Sequence, residues 1–405
     1  MLDLLKLLAV LAGILLFLWR KWNLGTVLLL ASAAIGLLFG RSVAGLLQDV
    51  ARTLVDLTTL RLVSAVTLIL SLGAILKASA RLDGLVRSLE SLFPDGRIAL
   101  ATIPALIGML PMVGGAVFSA PMVGEIGDRL GVDGDRKTFV NYWFRHVWEW
   151  ILPIYPPLIL AATLLNIPPR DLTLSQWPFT VMAIAAGVLI GLLPIQHRPR
   201  AGTNPLGRNG NLKLLALSIW PIALVIILSV SLGVDLIFSL LAALALMVMV
   251  NRLRPRQLWM ILRDGVSLKP VLLILSVMLF RQVLGATDAV AQIPDALAAA
   301  GIPTPLILFS IPLLAGLLTG VTAGAVGISF PVILPLLTAG SAGVDMGAVA
   351  LAYAGGFLGV LLSPLHLCLS LTREYFNADW GPSYRMLLPS TLALAAVGVG
   401  LFIQL

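Results

Sequence analysis

The chain is poor in charge, in cysteine and in histidine. Only 11% of its 405 residues are Asp, Glu, Lys or Arg, against about a quarter in ordinary soluble domains. A soluble protein of this composition would need a core larger than single domains build. The one cysteine, Cys368, excludes an internal disulfide framework and a metal site made of cysteines. Of the three histidines, His146 and His366 lack further ligands for a metal, so none is expected. The sequence has no glycine-rich loop ending in Gly-Lys, which argues against an ATP-driven pump. It has no nucleophile–base pair and no His/Asp/Glu constellation, so it does not read as an enzyme and implies no cofactor.

What remains is apolar. Hydrophobic residues make up 59% of the chain, and the mean hydropathy is +1.02. Lipid is therefore the solvent for much of it. In lipid the backbone must satisfy its own polar groups, which leaves helices or closed barrels. The apolar runs are long and do not alternate, so helices are expected. The class is an all-α integral membrane protein. Ten spans are placed near 2–18, 24–40, 57–76, 139–164, 177–195, 212–232, 235–250, 270–291, 347–371 and 387–404. The first reads as an uncleaved span, because no basic segment precedes it. The stretch 41–56 is only mildly apolar and suits an amphipathic surface helix.

The formal charge of +8 sits in loops, where the orientation rule for basic residues explains it without nucleic acid. With both termini outside, the inward loops hold twenty basic residues and the outward loops four. That balance holds only if the apolar stretches 98–123 and 306–337 each return to the side they entered, as re-entrant hairpins. A cell inner membrane is the expected location, with both termini extracytoplasmic.

The two halves repeat. Pro104 answers Pro312 after 208 residues, Gly115-Ala116-Val117 answers Gly324-Ala325-Val326 after 209, Pro121 answers Pro331 after 210, and Pro153 answers Pro364 after 211. The first repeat is 1–195, with hairpin 98–123 and broken helix 139–164. A polar linker follows at 196–211. The second repeat is 212–405, with hairpin 306–337 and broken helix 347–371. Five spans per half make the second repeat inverted relative to the first. Paired interruptions in inverted halves mark the binding site of secondary transporters.

Candidate site residues follow from that pattern. Gly114, Gly115 and Ser119 lie in the first hairpin, and Thr319, Thr322, Gly324 and Ser329 in the second. Glycine permits close backbone approach, and hydroxyls add polar contacts. Pro153 and Pro364 free carbonyls at the breaks, beside Ser363. Ionisable residues inside spans are functional candidates. Arg145 and Arg281 suit an anion, Arg145 by a bidentate clamp. His146, Glu149 and His366, with the breaks at Pro153 and Pro364, suit a coupling ion. Arg145 and Glu149, four apart on a helix, can pair.

The whole chain resembles the prokaryotic membrane family called domain of unknown function 401. The carrying residues are Pro-Met-Val-Gly-Gly-Ala-Val from Pro111, Arg-His-Val-Trp-Glu from Arg145, and Ser-Pro-Leu-His-Leu-Cys-Leu from Ser363. That family looks like a branch of the ion transporter superfamily. The resemblance implies a scaffold domain, a mobile transport domain with paired hairpins, elevator-like motion and a homodimer. The Ser-Asn-Thr signature of sodium-coupled dicarboxylate carriers is absent from both tips. The expected function is secondary transport of a small, carboxylate-like anion, coupled to H+ or Na+. Cation–proton antiport is the alternative, ahead of a channel or a membrane enzyme.

Overall fold

A computed structural model describes residues 2–20, 22–79, 95–109, 115–196, 207–287, 289, 301–338 and 343–404. All regular elements among the described residues are helical. They are α1 (Leu2–Trp19), α2 (Leu24–Leu38), α3 (Val43–Val55), α4 (Leu57–Ala78), α5 (Gly96–Gly108), α6 (Gly115–Leu130), α7 (Gly134–Arg145), α8 (Pro156–Leu165) and α9 (Pro169–Ala186). After the linker come α10 (Gly207–Ile226), α11 (Leu236–Val250), α12 (Pro255–Gly265), α13 (Lys269–Thr287), α14 (Thr304–Thr319), α15 (Thr322–Leu337), α16 (Met346–Leu362), α17 (Leu367–Tyr375) and α18 (Trp380–Gln404). Most of the linker, and the tip of the first hairpin with Gly114, lie outside the described residues.

Six helical stretches among the described residues are long and apolar enough to cross a membrane, and seven shorter helices are apolar too. Large side chains such as Leu189, Met249, Leu392 and Ile403 face outward, which lipid tolerates and water does not. The chain is an all-α membrane protein.

The order of elements recurs. A helical hairpin (α5–α6, then α14–α15) is followed by a helix that breaks and resumes (α7–α8, then α16–α17), and then by a long helix. Helices α1–α4 and α10–α13 pack mainly on one another. Helices α5–α9 and α14–α18 form the second group. Glycines set the closest approaches in that second group. Gly108 lies against the backbone carbonyl of Arg145, and Gly316 lies against that of Gly356. Small residues are what allow helix backbones to meet this closely in lipid.

The amphipathic helix expected at 41–56 is α3, capped by the Ser42 hydroxyl, which accepts from the Gly45 N–H at 3.1 Å. Arg41 folds back on it and donates to both oxygens of Asp49, at 2.9 and 2.8 Å. These bonds outweigh burial and hold the Asp49 carboxyl below its usual range. A lowered folded value means that the pair stabilises the fold above the unfolded pKa, about 3.9, and that this is lost as pH falls through the folded value. Asp49→Asn should therefore lower Tm by a few degrees at neutral pH. In thermal melts the gap to wild type should close below about pH 4.

Candidate functional site

The first break begins earlier than its prolines. The sequence suggested one helix running from 139 past Glu149 to Pro153; α7 instead ends at Arg145. The cause is local. His146 Nδ1 donates to the Tyr142 carbonyl at 2.6 Å, the acceptor that its own backbone N–H would use in a helix. That N–H turns to the Trp143 carbonyl, 3.0 Å away. Residues 146–155 then run as turns until Pro156 restarts the helix at its first position, where a missing N–H costs nothing. Arg145 and Glu149 still meet, Nη1 to Oε1 at 3.4 Å, although they do not share a helix.

The second break is shorter. Helix α16 ends at Leu362, and α17 starts at Leu367. Ser363 donates its hydroxyl to the Leu317 carbonyl at 2.6 Å and accepts from the Leu365 N–H at 3.2 Å. His366 Nδ1 donates to the Gly320 carbonyl at 2.6 Å. Gly320 is the turn of the second hairpin. Its φ of +63° is left-handed, a conformation that glycine adopts without a steric penalty.

Carbonyls released by both breaks are satisfied by side chains, as burial requires. Tyr353 Oη donates to the Glu149 carbonyl at 3.3 Å, and Tyr142 Oη donates to the Leu361 carbonyl at 3.0 Å. The two tyrosines are 211 residues apart, the same offset as Pro153 and Pro364. Each half thus caps the break of the other. Thr180 adds a bond to the Val147 carbonyl at 3.0 Å, and Tyr155 bonds the Gly108 carbonyl. Asn141 joins the halves again, donating to the Ala116 carbonyl at 3.0 Å and to Thr372 Oγ1 at 3.1 Å. Tyr142→Phe and Tyr353→Phe should each cost about 1 kcal/mol. Thermal melts of the single and double variants in detergent check this.

These segments enclose a cavity of about 590 Å³. It lies between the two helix groups. Its walls include Asn23–Gly25, Leu70, Lys269, Pro270, Leu272 and Leu273 from the first group, and Arg145, His146, Glu149, Thr319–Ala323 and Leu365–Cys368 from the second. Arg145 is 3% exposed and Glu149 8%. Gly115 gives the guanidinium room, since a Cβ there would sit 2.7 Å from Arg145 Nε. His146 and His366 face each other, Nε2 to Nε2 at 3.1 Å. A buried guanidinium beside a polar hairpin turn can clamp a carboxylate by two parallel bonds.

The predicted residues divide. The cavity gathers Arg145, His146, Glu149, Thr319, Thr322 and His366, with Gly115 behind Arg145. Ser119 and Ser329 are buried and bond their own helices, at the Ala116 and Ala325 carbonyls. Gly324 packs against Leu24 and Thr319. Ser363 holds the break rather than lining the cavity. Pro364 is exposed. Pro153 lines a second cavity, of about 760 Å³, with Arg61, Arg170 and Asp235. Arg281 stands on α13 and lines neither cavity. Sequence reasoning missed Cys368, Tyr142, Tyr155 and Tyr353. The 211-residue spacing of Tyr142 and Tyr353 was a signal for two of them.

No curated protein matches the sequence. The family model described as protein of unknown function (DUF401) matches residues 2–403, so the chain belongs to that family.

Proposed function

We propose that this protein is a secondary transporter of a small, carboxylate-like anion, driven by a proton or sodium gradient. One observation carries the reading: both broken segments and the second hairpin turn converge, with buried Arg145, on one cavity between two helix groups. Broken helices at matching places in two halves are the arrangement in which transporters bind solute. In this reading ten spans and two re-entrant hairpins form inverted repeats of the ion transporter type. Helices α1–α4 and α10–α13 are the scaffold and the other group moves, elevator-like, in a homodimer. The crossed tyrosine caps and the Gly108 and Gly316 contacts support the repeat.

Loop charges place Asn23–Gly25 and Lys269 on the cytoplasmic side of an inner membrane, with both termini outside. The Arg145 cavity then opens inward. The cavity at Pro153, lined by Arg61, Arg170 and Asp235, faces outward. Two cavities meeting the same broken segment from opposite sides suit alternating access.

A thermal-shift screen of small organic acids, with and without sodium and across pH, tests the reading. Binding to the folded state raises stability by about 2.7 kcal/mol at a hundredfold excess over Kd. At least one acid should raise Tm in wild type and not in Arg145→Ala. A Tm indifferent to every anion contradicts the assignment.

A further inference from the structure

Both histidines that line the cavity are fixed in one tautomer. A carbonyl oxygen only accepts hydrogen bonds. His146 Nδ1 at 2.6 Å from the Tyr142 carbonyl, and His366 Nδ1 at 2.6 Å from the Gly320 carbonyl, must therefore each carry a proton. In the neutral rings, each Nε2 is left with its lone pair. The two lone pairs confront each other across 3.1 Å. That arrangement is repulsive unless a positive centre lies between them.

The third donor is Cys368, two residues beyond His366. Its sulfur and the two histidine nitrogens all lie within 4.8 Å of one another. His146 and Cys368 are buried, while His366 is partly exposed to the cavity. Two imidazole nitrogens and a thiolate are the donors that borderline-soft transition metals select. The spacing also fits. Two nitrogens on a tetrahedral Zn2+ at about 2.0–2.1 Å stand roughly 3.3 Å apart. On the same ion the sulfur stands roughly 3.6 Å from each nitrogen, against the 4.8 Å or less found here. Ligating histidines ordinarily donate their other N–H to a carbonyl or carboxylate, as both do here. Glu149 Oε1 lies nearby, 3.8 Å from His146 Nε2, outside the cluster of three mutually close donors.

We propose that His146, His366 and Cys368 form a binding site for a borderline-soft divalent transition-metal ion, represented by Zn2+. The site joins the two broken segments, because His146 comes from the first and the other two from the second. The sequence reading discounted it because each ligand type was too scarce. The fold overrides that count by bringing residue 146 to residues 366 and 368. A proton shared between the two nitrogens would also relieve their repulsion, but it gives the sulfur no role. The inference rests on ligand geometry alone and stands or falls separately from the transport reading.

The test is a Co2+ titration of the chelator-stripped, full-length protein in detergent. One equivalent should bind, with a thiolate-to-metal charge-transfer band in the near ultraviolet, and Zn2+ should displace it. Cys368→Ser should abolish the band and weaken binding by at least about tenfold. His366→Gln should weaken binding by a similar factor. Wild type supplies a second readout. Cys368 is the chain's one cysteine, so equimolar Zn2+ should slow its alkylation by a small maleimide about tenfold or more. Two results overturn the proposal. One is the absence of saturable binding with an unchanged alkylation rate, which leaves the shared proton. The other is binding that Cys368→Ser and His366→Gln both leave intact, which puts the ion elsewhere.

Discussion

Arg145→Ala, reconstituted into liposomes, should take up the stabilising organic acid about 30- to 4,000-fold more slowly than wild type. The range is the 2–5 kcal/mol cost of truncating one partner of a buried, hydrogen-bonded charge pair, at 1.4 kcal/mol per tenfold. The guanidinium is almost wholly removed from water, and Gly115 leaves it the space it occupies. Arg145→Lys keeps the charge and loses the planar fork, so it should recover only part of the rate. The substitution also strands Glu149, its partner at 3.4 Å, and an unpaired buried charge is itself destabilising. Arg145→Ala/Glu149→Gln separates the two effects. Its Tm should return toward wild type while its uptake stays low. Recovery of uptake in the double variant would show that Arg145 serves only to neutralise Glu149.

Gly108→Val and Gly316→Val should each eliminate monodisperse, folded protein. A side chain at either position runs into a backbone carbonyl, of Arg145 in one case and of Gly356 in the other. A flexible side chain can rotate away from such a clash, but a helix backbone cannot. The cost should exceed the usual 1–3 kcal/mol of overpacking. Each clash also lies on the helix that leads into a break, so a milder substitution would displace the cavity wall. Gly285→Ala is the control. It lies on α13, where a Cβ meets nothing within 4 Å, and it should be neutral or stabilising by up to about 1 kcal/mol. Gel filtration in mild detergent after matched expression distinguishes the three. A monodisperse Gly108→Val protein with wild-type Tm would contradict the packing described.

Punctuation residues carried most of the architecture in the sequence. Pro153 announced the first break, Pro364 the second, and the paired Gly-Ala-Val runs the two hairpins. These signals are local, since proline removes a donor and glycine frees the backbone whatever surrounds them. The start of the first break was not legible. It depends on the His146 side chain taking the Tyr142 carbonyl, and a helical reading of 139–149 contains no hint of that choice. The hydroxyls were misleading for a related reason. Ser119 and Ser329 sit in the hairpins, yet each returns to its own helix, as serines commonly do. Contacts between halves were the least legible. His146 with His366, and Asn141 with Thr372, pair across more than 200 residues. Neither pair follows the 208–211 offset of the repeat. Tyr142 and Tyr353 do follow it, because they serve the symmetric backbone rather than the asymmetric site.

Gradient-driven uptake by wild-type protein in sealed liposomes tests the central claim most directly. The acid found by thermal shift is presented outside, with a proton or sodium gradient imposed and then collapsed by an ionophore. The account predicts uptake that saturates with solute, accumulates it against its own gradient, and stops when the driving gradient is removed. Flux that rises linearly with solute and ignores the collapse would instead mark a channel, and would contradict the account.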